Sequence, residues 1–340
     1  MQNKIRNISL FMLCFLTLYI KAQTDCKNAI YEADKLFEAG QIKECIDRLE
    51  PCTANIKDKE ELAESYHLLA QAYQNLNNTD KANYYIKKML QLKPDYQKYP
   101  NIDALDFSRL VNQYRVSPRL YLGLKFGFNI NSVALKKSYS VYSSSQSYNP
   151  AAGYQFGLTA DYRIFPDVSI NTDLFLCGLK INHLIDSAGG ARQNYNEQEN
   201  YGMFNITAQK HIAVKKIIQV YAGIGFGIGY MYEANVNLRS TTLETQSFSQ
   251  VSKNPIAERN KFQPCMIGIG GIGFPLSKGI LNLDANYSYF LKNTVNASKR
   301  MSDLNFIFNN QYVNDDISLR LILINVSYKF PLLWSIELKK

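Results

Sequence analysis

Residues 218–232 read IQVYAGIGFGIGYMY, and this stretch decides the fold. Ile218, Val220, Ala222, Ile224, Phe226, Ile228, Tyr230 and Tyr232 share one parity, and the other parity is nearly all glycine. Successive side chains of a strand point to opposite faces, so the pattern describes a strand with one apolar and one almost empty face. Three more stretches repeat it. Leu120, Leu122, Leu124, Phe126, Phe128 and Ile130 alternate with Tyr121, Gly123, Lys125, Gly127 and Asn129, and residues 154–164 do the same. Leu281, Leu283, Ala285, Tyr287, Tyr289 and Leu291 alternate with Asn282, Asp284, Asn286 and Ser288. An apolar face held over ten or more residues against a polar or tiny reverse marks a membrane-spanning strand. Weaker alternation marks strands at 168–181, 201–210, 262–274 and 317–330, the last with a parity switch near Leu321 that implies a bulge. The expectation is an eight-stranded antiparallel up-and-down transmembrane β-barrel, with six or ten strands as alternatives.

The connections expected at 165–167, 211–216 and 275–279 are short, and those at 131–152, 182–200, 233–260 and 292–316 are long. Strict alternation suits a membrane barrel with short periplasmic turns and long external loops; a secreted β-sandwich, the alternative, needs neither. An even strand count returns both chain ends to the periplasmic side. Asn325-Val326-Ser327-Tyr328-Lys329-Phe330 resembles the aromatic-terminated signal by which barrel-assembly machinery recognises its clients, although residues 331–340 continue past it. Residues 118–330 as a whole resemble the porin-like outer-membrane β-barrel family of Gram-negative bacteria. That resemblance implies an outer-membrane location and lipid as a partner, without implying a particular activity.

Parity places Lys125, Asp161, Arg163, Asp173, Asp284 and Arg320 on the inner face. Opposite charges in a narrow tube should pair, and eight strands leave an interior just wide enough for side chains to fill. A plugged lumen is expected. Residues 268–273, GIGGIG, satisfy a G-x-G-x-x-G pattern, but Phe274-Pro275 follows where a dinucleotide site needs a helix, so no cofactor is expected. The three histidines, His67, His183 and His211, lie in three different regions. Only His183, with Asp186 and Ser187 close in sequence, offers a local cluster for a lipid-modifying enzyme, and no catalytic role is assigned to it. No cysteine or histidine spacing supports a metal.

The N-terminal third has a different period. Lys4 and Arg6 precede an apolar run from Leu10 to Ile20, and Ala22 offers a cut site, the layout of a secretory signal over residues 1–22. From Cys26 to Pro94 the apolar positions recur with helical spacing. Ala33, Leu36, Gly40, Cys45, Leu49 and Cys52 are followed, 37 residues on, by Ala70, Tyr73, Asn77, Ala82, Ile86 and Met89. Small residues at Ala33, Cys45, Ala70 and Ala82 let paired helices approach, and Gly40 and Asn77-Asn78 fall where the chain must turn. Cys26 begins the first helix and Cys52 ends the second, and an antiparallel hairpin brings those ends together; a Cys26–Cys52 disulfide is expected, three separate buried thiols being the alternative. Ala70, Tyr73, Asn77, Ala82 and Pro94 resemble the tetratricopeptide pattern. That resemblance implies a surface for protein contacts, an interpretation set against a mere spacer. A third helix over residues 103–115 should cap the stack with Leu105, Phe107, Leu110 and Val111.

The layout is thus α + β and multidomain: signal 1–22, helical repeats 24–100, capping helix and linker 101–117, barrel 118–330 and a periplasmic tail 331–340. The net charge of +9 includes Lys4 and Arg6 and shows no basic stripe interleaved with aromatics. Nucleic acid is not an expected partner; the surplus suits an anionic lipid surface or is scattered and solvated. The expected role is an outer-membrane anchor, not an enzyme, displaying a periplasmic module for envelope-protein contacts. A small passive channel or ligand-binding barrel is the alternative. Nothing sets the oligomeric state.

Overall fold

The computed structural model describes residues 26, 28–96, 105–139, 143–187, 191–215, 217–242 and 248–339. The expected signal at 1–22 lies outside the described residues. Two compact units result: Met1–Ser117 together with Trp334–Lys340, and Pro118–Leu333. No described helix is long and apolar enough to cross a membrane.

The helical unit holds α1 (Ala29–Glu38), α2 (Ile42–Leu49), α3 (Lys59–Asn75), α4 (Thr79–Leu92) and α5 (Leu105–Asn112). The 37-residue offset carries α1 onto α3 and α2 onto α4. Gly40 (φ 76°) and Asn77 (φ 55°) are both left-handed, so the two interhelical turns share one conformation. Asp58 caps α3 by accepting from the backbone N–H groups of Glu60 and Glu61 at 2.9 and 3.0 Å, and Asn78 caps α4 through Lys81 N–H at 3.2 Å. Ala33, Cys45, Ala70 and Ala82 are fully buried and Tyr73 nearly so, with Leu49, Leu69, Ile86 and Phe107 in the same core. Pro94 follows the end of α4. The capping helix is shorter than the expected 103–115, because Tyr114 already begins a strand. Phe107, Leu110 and Val111 pack into the core as expected, but Leu105 is exposed.

The second unit is built on β1 (Tyr114–Lys137), β2 (Ser143–Asn149), β3 (Ala151–Phe165), β4 (Val168–Ser187), β5 (Ala191–Lys215), β6 (Ile218–Thr242), β7 (Phe248–Lys253), β8 (Phe262–Leu276), β9 (Gly279–Phe290) and β10 (Asp316–Leu338), with a short α6 (Leu304–Asn310). The ring runs β1-β3-β4-β5-β6-β8-β9-β10 and returns to β1. It has eight staves, because β2 pairs with β4 beyond β3, and β7 with β6 beyond β8. Pro150, which lacks an N–H, separates β2 from β3. Closure leaves no bare strand edge around the ring, which a backbone in hydrocarbon requires. Outward residues form an apolar belt that includes Leu124, Phe126, Leu158, Leu174, Phe204, Ile224, Phe226 and Leu283, all exposed.

Three expectations need correction here. The long loops at 131–152, 182–200 and 233–260 are largely strand: β1, β4, β5 and β6 run on past the belt to Lys137, Ser187, Ala191 and Thr242. Alternation continues there in the opposite sense, with Ile181, Ile185, Tyr195, Val236 and Leu238 buried inside and Lys180, Asn235 and Arg239 outside. A register shift between Asn200 and Tyr201, opposite Glu233 and Met231, marks the changeover on β5 and β6. Against β9 there is no bulge near Leu321, since β10 pairs with it in unbroken register from Arg320 to Lys329. The expected tail at 331–340 is mostly strand: β10 ends at Leu338, and the backbone N–H of Lys339 donates to the Gln113 carbonyl at 2.7 Å. Ile336 packs against the helical core with Val116.

Candidate functional sites in the lumen and the helical groove

Inside the apolar belt the inward parity carries charge. Lys125 on β1 donates to Asp173 on β4 at 2.8 Å and lies 3.4 Å from Asp284 on β9. Asp284 also accepts from Asn325 on β10 at 2.8 Å and from the Tyr221 hydroxyl on β6 at 3.3 Å. Gln155 on β3 donates to Asn325 at 2.8 Å and accepts from Asn129 at 3.0 Å. Six of the eight staves therefore share one network, and its members are buried. Below it, Asp161 lies 3.6 Å from Arg163 and 3.8 Å from Lys329, and Arg163 donates to Gln219 at 3.1 Å.

Five of the six expected lumen charges thus meet inside. Arg320 does not: it is exposed on the outer face, its guanidinium 5.9 Å from the Tyr289 ring centre. The third cation within is Lys329, read in the sequence only as part of the terminal signal. Its parity relative to Ile324, Val326 and Phe330 was the available clue. His211, expected beside a turn, is buried in β5 with its Nε2 2.8 Å from Ser169 Oγ.

Above the belt the barrel mouth is filled. Arg259 makes a bidentate pair with Glu197 at 2.6 and 2.7 Å and donates to Asn314 at 3.1 Å, and Glu199 lies 3.8 Å away. These joins tie the loop before β8 and the loop before β10 to the β5 wall. His183 stacks on Tyr148 with centroids 3.9 Å apart, and Tyr195 on Tyr312 at 4.4 Å. Asp186 sits on the opposite parity of β4 and pairs outward with Arg192 at 2.7 Å, so the His183–Asp186 cluster does not assemble. Sequence reasoning missed this whole network because it took residues 182–200 and 233–260 for loops.

In the helical unit the structure joins Cys26 to Cys52, with Cα atoms 5.4 Å apart, and leaves Cys45 buried and unbridged. Glu50, just after α2, accepts from the hydroxyls of Tyr73 and Tyr85 at 2.5 and 2.7 Å and from Lys81 at 3.3 Å. Burial pushes this carboxyl up, but the hydrogen bonds from Tyr73, Tyr85 and Lys81 outweigh it and hold its pKa below the usual value. The helical unit also carries a groove of about 1610 Å³. Ile30, Tyr31, Asp34, Phe37 and Glu38 face it from α1, and Glu61, Glu64, His67, Leu68 and Gln71 from α3. Spacings of three and four put each set on one helix face. Ile30, Tyr31 and Asp34 are the 37-residue equivalents of His67, Leu68 and Gln71, so the same face of both hairpins lines the groove.

No protein-family model matches the chain, and no curated protein matches it. Among solved structures it is similar to Neisserial surface protein A, at 12% identity and TM-score 0.32 over 64% of this chain and 99% of that one. It is also similar to the outer membrane protein OprG from Pseudomonas aeruginosa, at 13% identity and TM-score 0.31 over 63% and 97%. Ail, the attachment invasion locus protein of Yersinia pestis, is similar at 11% identity and TM-score 0.27 over 62% and 99%. Scores of that size add nothing to what the closed ring already establishes.

Proposed function

We propose that the chain is an integral outer-membrane β-barrel anchoring a periplasmic helical-repeat module, which makes protein contacts as a structural or assembly component of an envelope complex. The observation that carries this reading is the network centred on Lys125 and Asp284. It bridges six staves inside the belt, where a passive channel would need open water. The belt supplies the membrane face and the paired helical hairpins supply a surface for a partner. Two measurements test it. Full-length protein in planar bilayers should give no stable large conductance steps, and protein cross-linked in intact cells should capture envelope proteins. Stable steps, or a wild-type chain that captures no envelope protein, would overturn the reading.

A further inference from the structure

The groove of the helical unit differs in charge from the chain around it. The full sequence carries +9, whereas among the described residues that line the groove Asp34, Glu38, Asp58, Glu61 and Glu64 face one cation, Lys57, with the Lys35 ammonium 4.3 Å over the Tyr31 ring. Asp58 is committed to capping α3. The carboxylates of Asp34, Glu38, Glu61 and Glu64 are exposed and take part in no ion pair among the described residues. Neighbouring like charges repel, and a cationic occupant would relieve that repulsion; an anionic lipid or nucleic acid would worsen it. The floor between the carboxylates is apolar: Ile30 and Phe37 are half-buried beside Leu68. A volume of about 1610 Å³ exceeds the roughly 300–1,000 Å³ of a small-molecule site, so a polypeptide segment fits better than a free cation.

We propose that this groove holds a cationic, extended segment of a partner polypeptide, with lysine or arginine side chains meeting the carboxylates and aliphatic side chains resting on Ile30, Phe37 and Leu68. The proposal rests on the anchor reading above and names the chemistry of its partner. The long stems of lysine and arginine suit such a floor, since they cover apolar surface while the charged head reaches an acidic rim.

The test uses the full chain in nanodiscs of zwitterionic lipid, so that the membrane itself does not attract the probe. The probe is a fluorescein-labelled peptide alternating lysine and leucine, with a glutamate–leucine peptide as its counterpart. The lysine peptide should bind saturably and the glutamate peptide should not. The variant E38Q/E61Q/E64Q keeps side-chain size, and its helical circular dichroism should match the wild type. Removing three charge pairs should weaken binding roughly tenfold. Raising salt from about 0.1 M to about 1 M, which shortens the screening length from about 10 to about 3 Å, should weaken wild-type binding too. Equal binding of the two peptides, an unchanged affinity in the folded triple variant, or binding of calcium without any peptide would overturn the proposal. In intact cells the two claims separate. If the triple variant captures the same envelope proteins as the wild type, the groove proposal falls and the anchor reading stands.

Discussion

At Lys125 a single ammonium group stands between the carboxylates of Asp173 and Asp284, with both sides of the pairing buried. Replacing Lys125 with Met removes the cation and leaves two buried anions without it. Truncating one member of a buried pair costs about 3–5 kcal/mol, so the Lys125→Met barrel should unfold at distinctly lower urea than wild type. The paired change Lys125→Met with Asp173→Asn should recover part of the loss. Glu50 makes a pH prediction. Its pKa in the folded chain lies below the usual carboxylate value, so its stabilising contribution is complete above about pH 4.5 and is lost as the pH falls through the lowered value. Glu50→Gln should therefore lower the helical melting temperature at pH 7 and make progressively less difference on acidification. Lys125, Asp161, Arg163 and Asp284 could be placed from parity alone because apolar neighbours flank each of them, and Asp173 because Leu174 and Leu176 fix its parity. Lys329, between Tyr328 and Phe330, carried the same clue, whereas Arg320 did not. In Leu321-Ile322-Leu323-Ile324 both faces are apolar, because Leu319, Leu321 and Leu323 meet Phe175 and Phe290 in an apolar plug above the charges. Alternation vanishes wherever the interior becomes as apolar as the lipid face.

The same lesson recurs for whole strands. On β6 the glycines up to Gly229 face inward and the apolar residues face outward; past Tyr232 the apolar residues Ala234, Val236 and Leu238 turn inward. A barrel that leaves the bilayer must reverse its pattern, and a reader looking for one sense of alternation loses the strand at the reversal. Gly225 shows why the inner side is so small. A Cβ there would run into the Ile206 carbonyl and the Thr207 backbone of β5. Gly225→Val should prevent β5 and β6 from pairing, seen as loss of the compact, heat-modifiable band on gels. The helical hairpins were more legible, because the repeat offset, the turn positions and the small residues all come from local spacing. Their disulfide closes a loop of 26 residues. Cys52→Ser should cost the helical unit about 2–4 kcal/mol, measured by its circular-dichroism melt under oxidising conditions.

For the molecule as a whole, two strands cross the boundary between units: β1 starts in the helical unit and β10 ends there. Domain order along the sequence was legible. The return of the last residues to the first unit was not, because no local period announces a pairing across more than 200 positions. Ending the chain at Phe330 should leave Tyr114 and Val116 without Ile336 and lower the helical melting temperature, while the ring itself still closes. Such an arrangement also orders events during biogenesis. Residues 334–339, which complete the helical unit, are made more than 200 positions after the helices they join, so that unit stays unfinished until they have emerged. A prematurely terminated copy would reveal itself by a loose, protease-sensitive amino-terminal third.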